Sequence, residues 1–151
     1  MSEDTHTVDV TEDDFIPFDP PVDIIYAGVL AGGELTQRPP DDKYNPGQKE
    51  LQLQFRFAHD PSLPDVVRKM VGGQLARARW ALNSAQLDRF CRTFNLDKMS
   101  FARDIKTWAN MPVRFRITKK EGNRKVKDEN GNDVLEPTVF VNVDAVFKAE
   151  S

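Results

Sequence analysis

The sequence predicts a mostly-β domain in which five strands close into a small barrel, with one helix between the third and fourth strands and a disordered acidic tail in front. Three observations carry this prediction. Leu51, Leu53, Phe55 and Phe57 alternate with Gln52, Gln54 and Arg56, and Val113, Phe115 and Ile117 alternate with Arg114, Arg116 and Thr118. A period of two turns the large apolar groups to one face of a strand. Between these segments, Leu87, Phe90, Cys91 and Phe94 recur at helical spacing. Ahead of them, residues 1–22 hold seven acids and three prolines but no Lys or Arg, too few apolar groups to offset the entropy of ordering. The remainder, residues 23–151, is one domain's worth of chain and can bury a core unaided.

Each element has its own signal. Val22, Ile24, Ile25, Tyr26, Val29 and Leu30 read as a long first strand, bent at Gly32-Gly33 and running into a Pro-rich loop that ends near Gly47. The second strand is Leu51 to Phe57. Ser62, Pro64 and Asp65 start a short helix or turn that Gly72-Gly73 stops. Gln74 to Leu82 fits either period, but as part of one continuous helix with Leu87, Phe90 and Phe94 it would have no single buried face, so a third strand is expected. Ser84 can cap the helix that follows. A further turn carries Phe101, Ile105 and Trp108 up to Pro112. The fourth strand follows, then a polar connection from Lys119 to Pro137 with an Asn130-Gly131 turn. The fifth strand alternates Val139, Val141, Val143, Ala145 and Phe147 with Asn142 and Asp144. Strand, strand, strand, helix, strand, strand is the order of the OB-fold, a Greek-key barrel.

Composition excludes several classes. One cysteine, Cys91, permits neither an internal disulfide nor a cysteine zinc site. No apolar run approaches the roughly 20 residues of a membrane helix, and a soluble, cytoplasmic protein is expected. His6 and His59 lack ligand-spaced partners, and no phosphate loop, dinucleotide fingerprint or nucleophile motif is present. The reading is therefore of a protein without catalysis, metal or cofactor.

Charge is the positive signal. The net charge of -3 hides an asymmetry, because residues 68–127 contain sixteen Lys or Arg against only Asp88, Asp97, Asp104 and Glu121. Strand alternation places Arg114 and Arg116 on one outward face, about 7 Å apart. Arg77 and Arg79 do the same on the third strand, Arg56 opposes the apolar set of the second, and the last connection adds Lys119, Lys120, Arg124, Lys125 and Lys127. Like charges crowded on one face repel, which a polyanion relieves. Stacking of unpaired bases needs aromatic rings beside such a face. Tyr44 in the first loop and Trp80 on the third strand are the candidates, with Phe140 a third; Trp80 and Phe140 could equally be core.

The segment from Ile24 to Phe147 resembles phage-encoded single-stranded-DNA-binding proteins with an OB-fold, through its bent first strand, "LQLQFRF" (Leu51 to Phe57), "GGQLARARWALN" (Gly72 to Asn83) before the helix, and "MPVRFRITKKEGNRK" (Met111 to Lys125). That resemblance implies sequence-independent binding of single-stranded DNA in phage replication or recombination, in the host cytoplasm. "EDDFIPF" (Glu12 to Phe18) is similar to the acidic, Pro-Phe-ending tip of bacterial single-stranded-DNA-binding proteins, which implies recruitment of replication or recombination proteins through Phe15, Ile16 and Phe18. Here that Phe is internal and near the N-terminal end, whereas in the family it ends the chain. The alternative functions are a protein-interaction adaptor or virion component that binds no nucleic acid, or an RNA-binding module.

Overall fold

The computed structural model describes residues 8–12 and 16–149. Five strands, β1 (Tyr26–Gln37), β2 (Lys49–Phe57), β3 (Leu75–Ala81), β4 (Met111–Lys127) and β5 (Asp133–Lys148), close into a barrel of order β1-β2-β3-β5-β4. All neighbours run antiparallel except β3 and β5, which meet in parallel at Arg77 and Asn142. Two short helices, α2 (Ala85–Thr93) and α3 (Lys98–Arg103), and a 3-10 turn (Ile105–Trp108) connect β3 to β4, while α1 (Asp65–Val71) connects β2 to β3.

The alternating residues do fill the interior. Leu51, Leu53, Phe55 and Phe57 of β2 and Val113, Phe115 and Ile117 of β4 are all buried. Phe115 lies 5.1 Å from Phe57 and 5.6 Å from Phe55 between ring centres, distances at which aromatic rings attract beyond their buried area. The closing seam pairs Tyr26 with Phe115 and Gly28 with Val113. Gly28 is required there: a Cβ would come within 2.2 Å of the Arg56 carbonyl oxygen and 2.7 Å of the Phe115 ring. At the other end Ser84 Oγ accepts the Leu87 amide at 3.2 Å and starts α2, whose Leu87, Phe90 and Cys91 plug the barrel. Burial pushes the Cys91 thiol up, as expected for a core residue.

Three expectations are corrected. The stretch from Lys119 to Pro137 is not a loop, because β4 and β5 pair continuously as far as Lys127 and Asp133, leaving only a tight turn in which Gly131 adopts φ 79°. The β4 strand leaves β1 beyond Phe115, and past Ile117 and Val143, the outermost buried residues of the pair, this hairpin projects as a two-stranded ribbon. The ribbon is wet on both faces and its β4 strand is almost wholly polar, so no hydrophobic period marks it as strand. In β5, an irregularity opposite Arg116 and Ile117 shifts the phase, and Val146 enters the core in place of Ala145 and Phe147. Trp80, weighed as a stacking residue, is 4 % exposed and packs 5.7 Å from Phe90.

The end of the acidic segment also departs from disorder. Phe18 meets Phe57 edge-on at 6.0 Å, Pro20 is buried, and the Asp19 carboxylate accepts from Lys119 Nζ at 2.6 Å. The Tyr26 hydroxyl donates to the Pro21 carbonyl at 2.6 Å. Burial, helped by the Asp23 charge, pushes the Tyr26 phenol up to about 12. Unfolded tyrosine ionises near pH 10, so between about pH 10 and pH 12 the unfolded chain gives up this proton while the folded chain keeps it, and stability falls as pH rises. Tyr26→Phe is expected to cost about 1 kcal/mol at neutral pH and to remove that alkaline decline, measured by urea unfolding across pH.

Candidate nucleic-acid interface

Register builds the outer face of the barrel row by row. Gln52 of β2 stands between Glu34 of β1 and Arg79 of β3, and Gln54 stands between Gly32 and Arg77, which in turn meets Asn142 of β5. Because their strand neighbours Leu51, Leu53, Phe55, Ala76, Ala78 and Trp80 are committed to the core, these polar groups have only the outside to face. They line a cleft of about 510 Å³ whose far wall is Phe140.

Unlike Trp80, Phe140, the third stacking candidate, lines the cleft. It is 44 % exposed, and its ring lies over Gly122 of the neighbouring strand, where a Cβ would approach the ring to 2.9 Å. Lys120, its register partner, has no ion-pair partner among the described residues. The signal for Phe140 was present: Val139, Val141 and Val143 point one way, so Phe140 shares the outward phase of Asn142.

The first loop forms the adjoining rim and is held by a buried carboxylate. Glu50 faces outward by alternation, yet it is 3 % exposed because the loop from Arg38 to Gln48 folds over it. Arg38 Nε lies 3.0 Å from Glu50 Oε1, Gln48 Nε2 donates to Glu50 Oε2 at 3.1 Å, and Arg79 Nε stands 3.5 Å from the same carboxylate. Asp42 accepts from the amides of Asn45 at 2.7 Å and Tyr44 at 3.2 Å, bonds that hold its carboxyl below the usual range. The Glu50 carboxylate raises the Arg38 pKa further. Tyr44 is thereby presented at the loop tip, 77 % exposed, with Lys43 Nζ 5.4 Å from its ring centre. Nothing in the sequence marks Glu50 or Arg38, since the burial comes from a loop folding back.

The other cations are dispersed. Arg116 pairs with Asp144 at 2.9 Å in a separate cleft beside α2, and Arg114 Nε donates to the Lys148 carbonyl at 3.0 Å. Arg56 donates to the Gly73 carbonyl at 3.0 Å. On the ribbon, Arg124 faces Glu136 at 3.5 Å, while Lys125 and Lys127 both reach Asp133. Residues 119–141 carry five basic and five acidic groups, so the ribbon's share of the basic excess is balanced once β5 folds back. Lys119 is tied to Asp19 on the ribbon face opposite Phe140.

Of the tail residues, Ile16 is half-buried, Phe18 is held on Phe57, and Phe15 lies outside the described residues. No cluster of three metal-ligating side chains exists among the described residues. No helix among them is long and apolar enough to cross a membrane. No family model, curated protein or solved structure matches the chain.

Arg38→Ala strips the buried Glu50 carboxylate of its nearer cation. The expected cost is about 2 kcal/mol by urea unfolding, the scale of a hydrogen bond to a charged group, whereas Lys43→Ala in the same loop should stay within about 0.5 kcal/mol.

Proposed function

We propose that this chain is an OB-fold module that binds single-stranded DNA without strong sequence preference and without catalysis. The observation that carries the reading is the Arg77-Arg79-Phe140 cleft: two guanidiniums on one strand face, amide side chains beside them on the next strand, and an exposed ring at the edge. Single strands are held by cations along the backbone and rings against the bases, and the cleft offers both. A duplex would bury the base faces that Phe140 needs. The β1–β2 loop with Tyr44 on one side and the β4–β5 ribbon on the other supply the flanks that OB-folds use for oligonucleotides. The sequence resemblance adds phage replication or recombination, in the host cytoplasm, as the setting.

One observation favours a second reading, a protein-interaction adaptor: Leu135 and Val139 stand exposed on a ribbon of balanced charge. Protein surfaces recognise such patches more readily than polyanions do.

Titration against oligo-dT, duplex DNA and RNA of equal length, at several salt concentrations, separates the readings. Single-stranded DNA is expected to bind best, with log affinity falling linearly in log salt by about 0.7 for each phosphate neutralised. Phe140→Ala should cost about 1 to 3 kcal/mol of binding. Arg77→Ala with Arg79→Ala should flatten the salt slope, whereas Arg114→Ala with Arg116→Ala, outside the cleft, should leave it nearly unchanged. Absence of binding to all three at low salt would overturn the proposal in favour of the adaptor.

A further inference from the structure

We infer that the path for the single strand continues from the Arg77-Phe140 cleft across Gly32 and Gly33 into a second cleft, where Leu35 and Ile105 receive a base and Arg103 and Lys106 take backbone phosphates. This subsite rests on the reading above and extends it to residues from the β3–β4 connection.

The two clefts meet at β1, whose edge is free of β4 beyond Leu30. The second, of about 530 Å³, lies between β1 and the α3 to 3-10 segment, and it shares Gly33 and Glu34 with the first. At Gly32 and Gly33 β1 has no side chain to form a ridge, and Glu34 is the side chain that both clefts share. A Cβ on Gly32 would meet nothing within 4 Å, so the groove is open above it. Gly33 serves a different end: a Cβ there would come within 2.7 Å of Ile105 and 2.8 Å of Leu53, so its absence lets the 3-10 turn lie directly against the strand. The irregularity between Leu30 and Gly32 bends β1 at this point.

The lining suits a nucleotide. Leu35 is 47 % exposed, and with half-buried Ala102 and buried Ile105 it gives an apolar floor that can cover a base face. Arg103 and Lys106 stand exposed on the rim, and neither has a carboxylate within ion-pair distance among the described residues. Asp97 feels the Arg103 charge but is spent as the cap of α3, accepting from the Ser100 amide at 3.0 Å and its hydroxyl at 3.1 Å. Glu34 stands where the clefts join and repels phosphate. The backbone is thereby directed to the Arg103-Lys106 rim, leaving the base edge toward Glu34, which can accept from an N–H on that edge, the N3–H in thymine.

The test compares oligo-dT of about 4 nucleotides with oligo-dT of about 16, the span of site sizes for one such barrel. Arg103→Ala with Lys106→Ala is expected to weaken the long oligonucleotide about tenfold at low salt and to reduce its salt slope by about 0.7 for each phosphate no longer neutralised, while the short one is unaffected. Gly32→Val, which raises a ridge in open space, should leave thermal unfolding unchanged and give the same length-selective weakening. Long and short oligonucleotides affected equally, or neither affected, while Arg77→Ala with Arg79→Ala still weakens both, would overturn the second subsite and leave the first cleft standing. Wild-type protein binding neither length would overturn both.

Discussion

Phe115 sets the terms for the rest of the molecule. Its ring fills the barrel against Phe55 and Phe57, and its strand closes the sheet on β1 across from Tyr26 and Gly28. The Phe115 ring, diagonal to Gly28 in the register, and the Arg56 carbonyl beside it leave no room there for a Cβ, which is why position 28 is glycine. Closure removes the two edges that an open five-stranded sheet would expose to pairing with other chains. It also fixes the outward phase of every strand, so the row of Gln52, Gln54, Arg77 and Arg79 follows from where the aromatic residues must go.

The barrel strands were legible because one face of each is buried, and burial on one face is what writes a period of two into a sequence. The third strand was harder: Ala76, Ala78 and Trp80 alternate among residues that also favour helix, and only the mismatch with the following helical face decided it. The ribbon was not legible as strand, since both of its faces are wet and no side of it needs apolar residues. The candidate site was legible in part. Arg77 and Arg79 were found by alternation, whereas Glu50 and Arg38 owe their roles to a loop folding over an outward position, a long-range event with no local trace. Arg114 and Arg116 were expected in the same face and are not, because a barrel surface curves away from itself.

Charge counted along a chain and charge counted across a surface give different pictures here. Part of the basic stretch pairs with the acids of β5 that follow it, as at Arg124 and Glu136 or Arg116 and Asp144. Exposed pairs of this kind are worth little, from nothing to about 1 kcal/mol, so they exchange readily for a better anion. What distinguishes the cleft is less its quantity of charge than its geometry, two guanidiniums, a ring and a floor without side chains at Gly32. Arg79 is a special case, since it shares the Glu50 carboxylate with Arg38 and so arrives at the groove with its guanidinium already oriented.

The projecting ribbon has a thermodynamic consequence of its own. A lone two-stranded hairpin is only marginally stable in water. Past Ile117 and Val143 the ribbon is such a hairpin, supported chiefly by its own ladder and by the Asp19 to Lys119 ion pair. It is therefore a natural unit of local opening, fraying and re-forming while the barrel stays shut. Phe140 sits where the ribbon joins the barrel, and its ring has Gly122 of the opposite strand as its support. Any ligand that uses this ring sees an affinity scaled by the fraction of time the hairpin is zipped. Whatever steadies the ribbon, whether a neighbouring protein or the acidic segment laid along it, tightens the groove without touching the ligand.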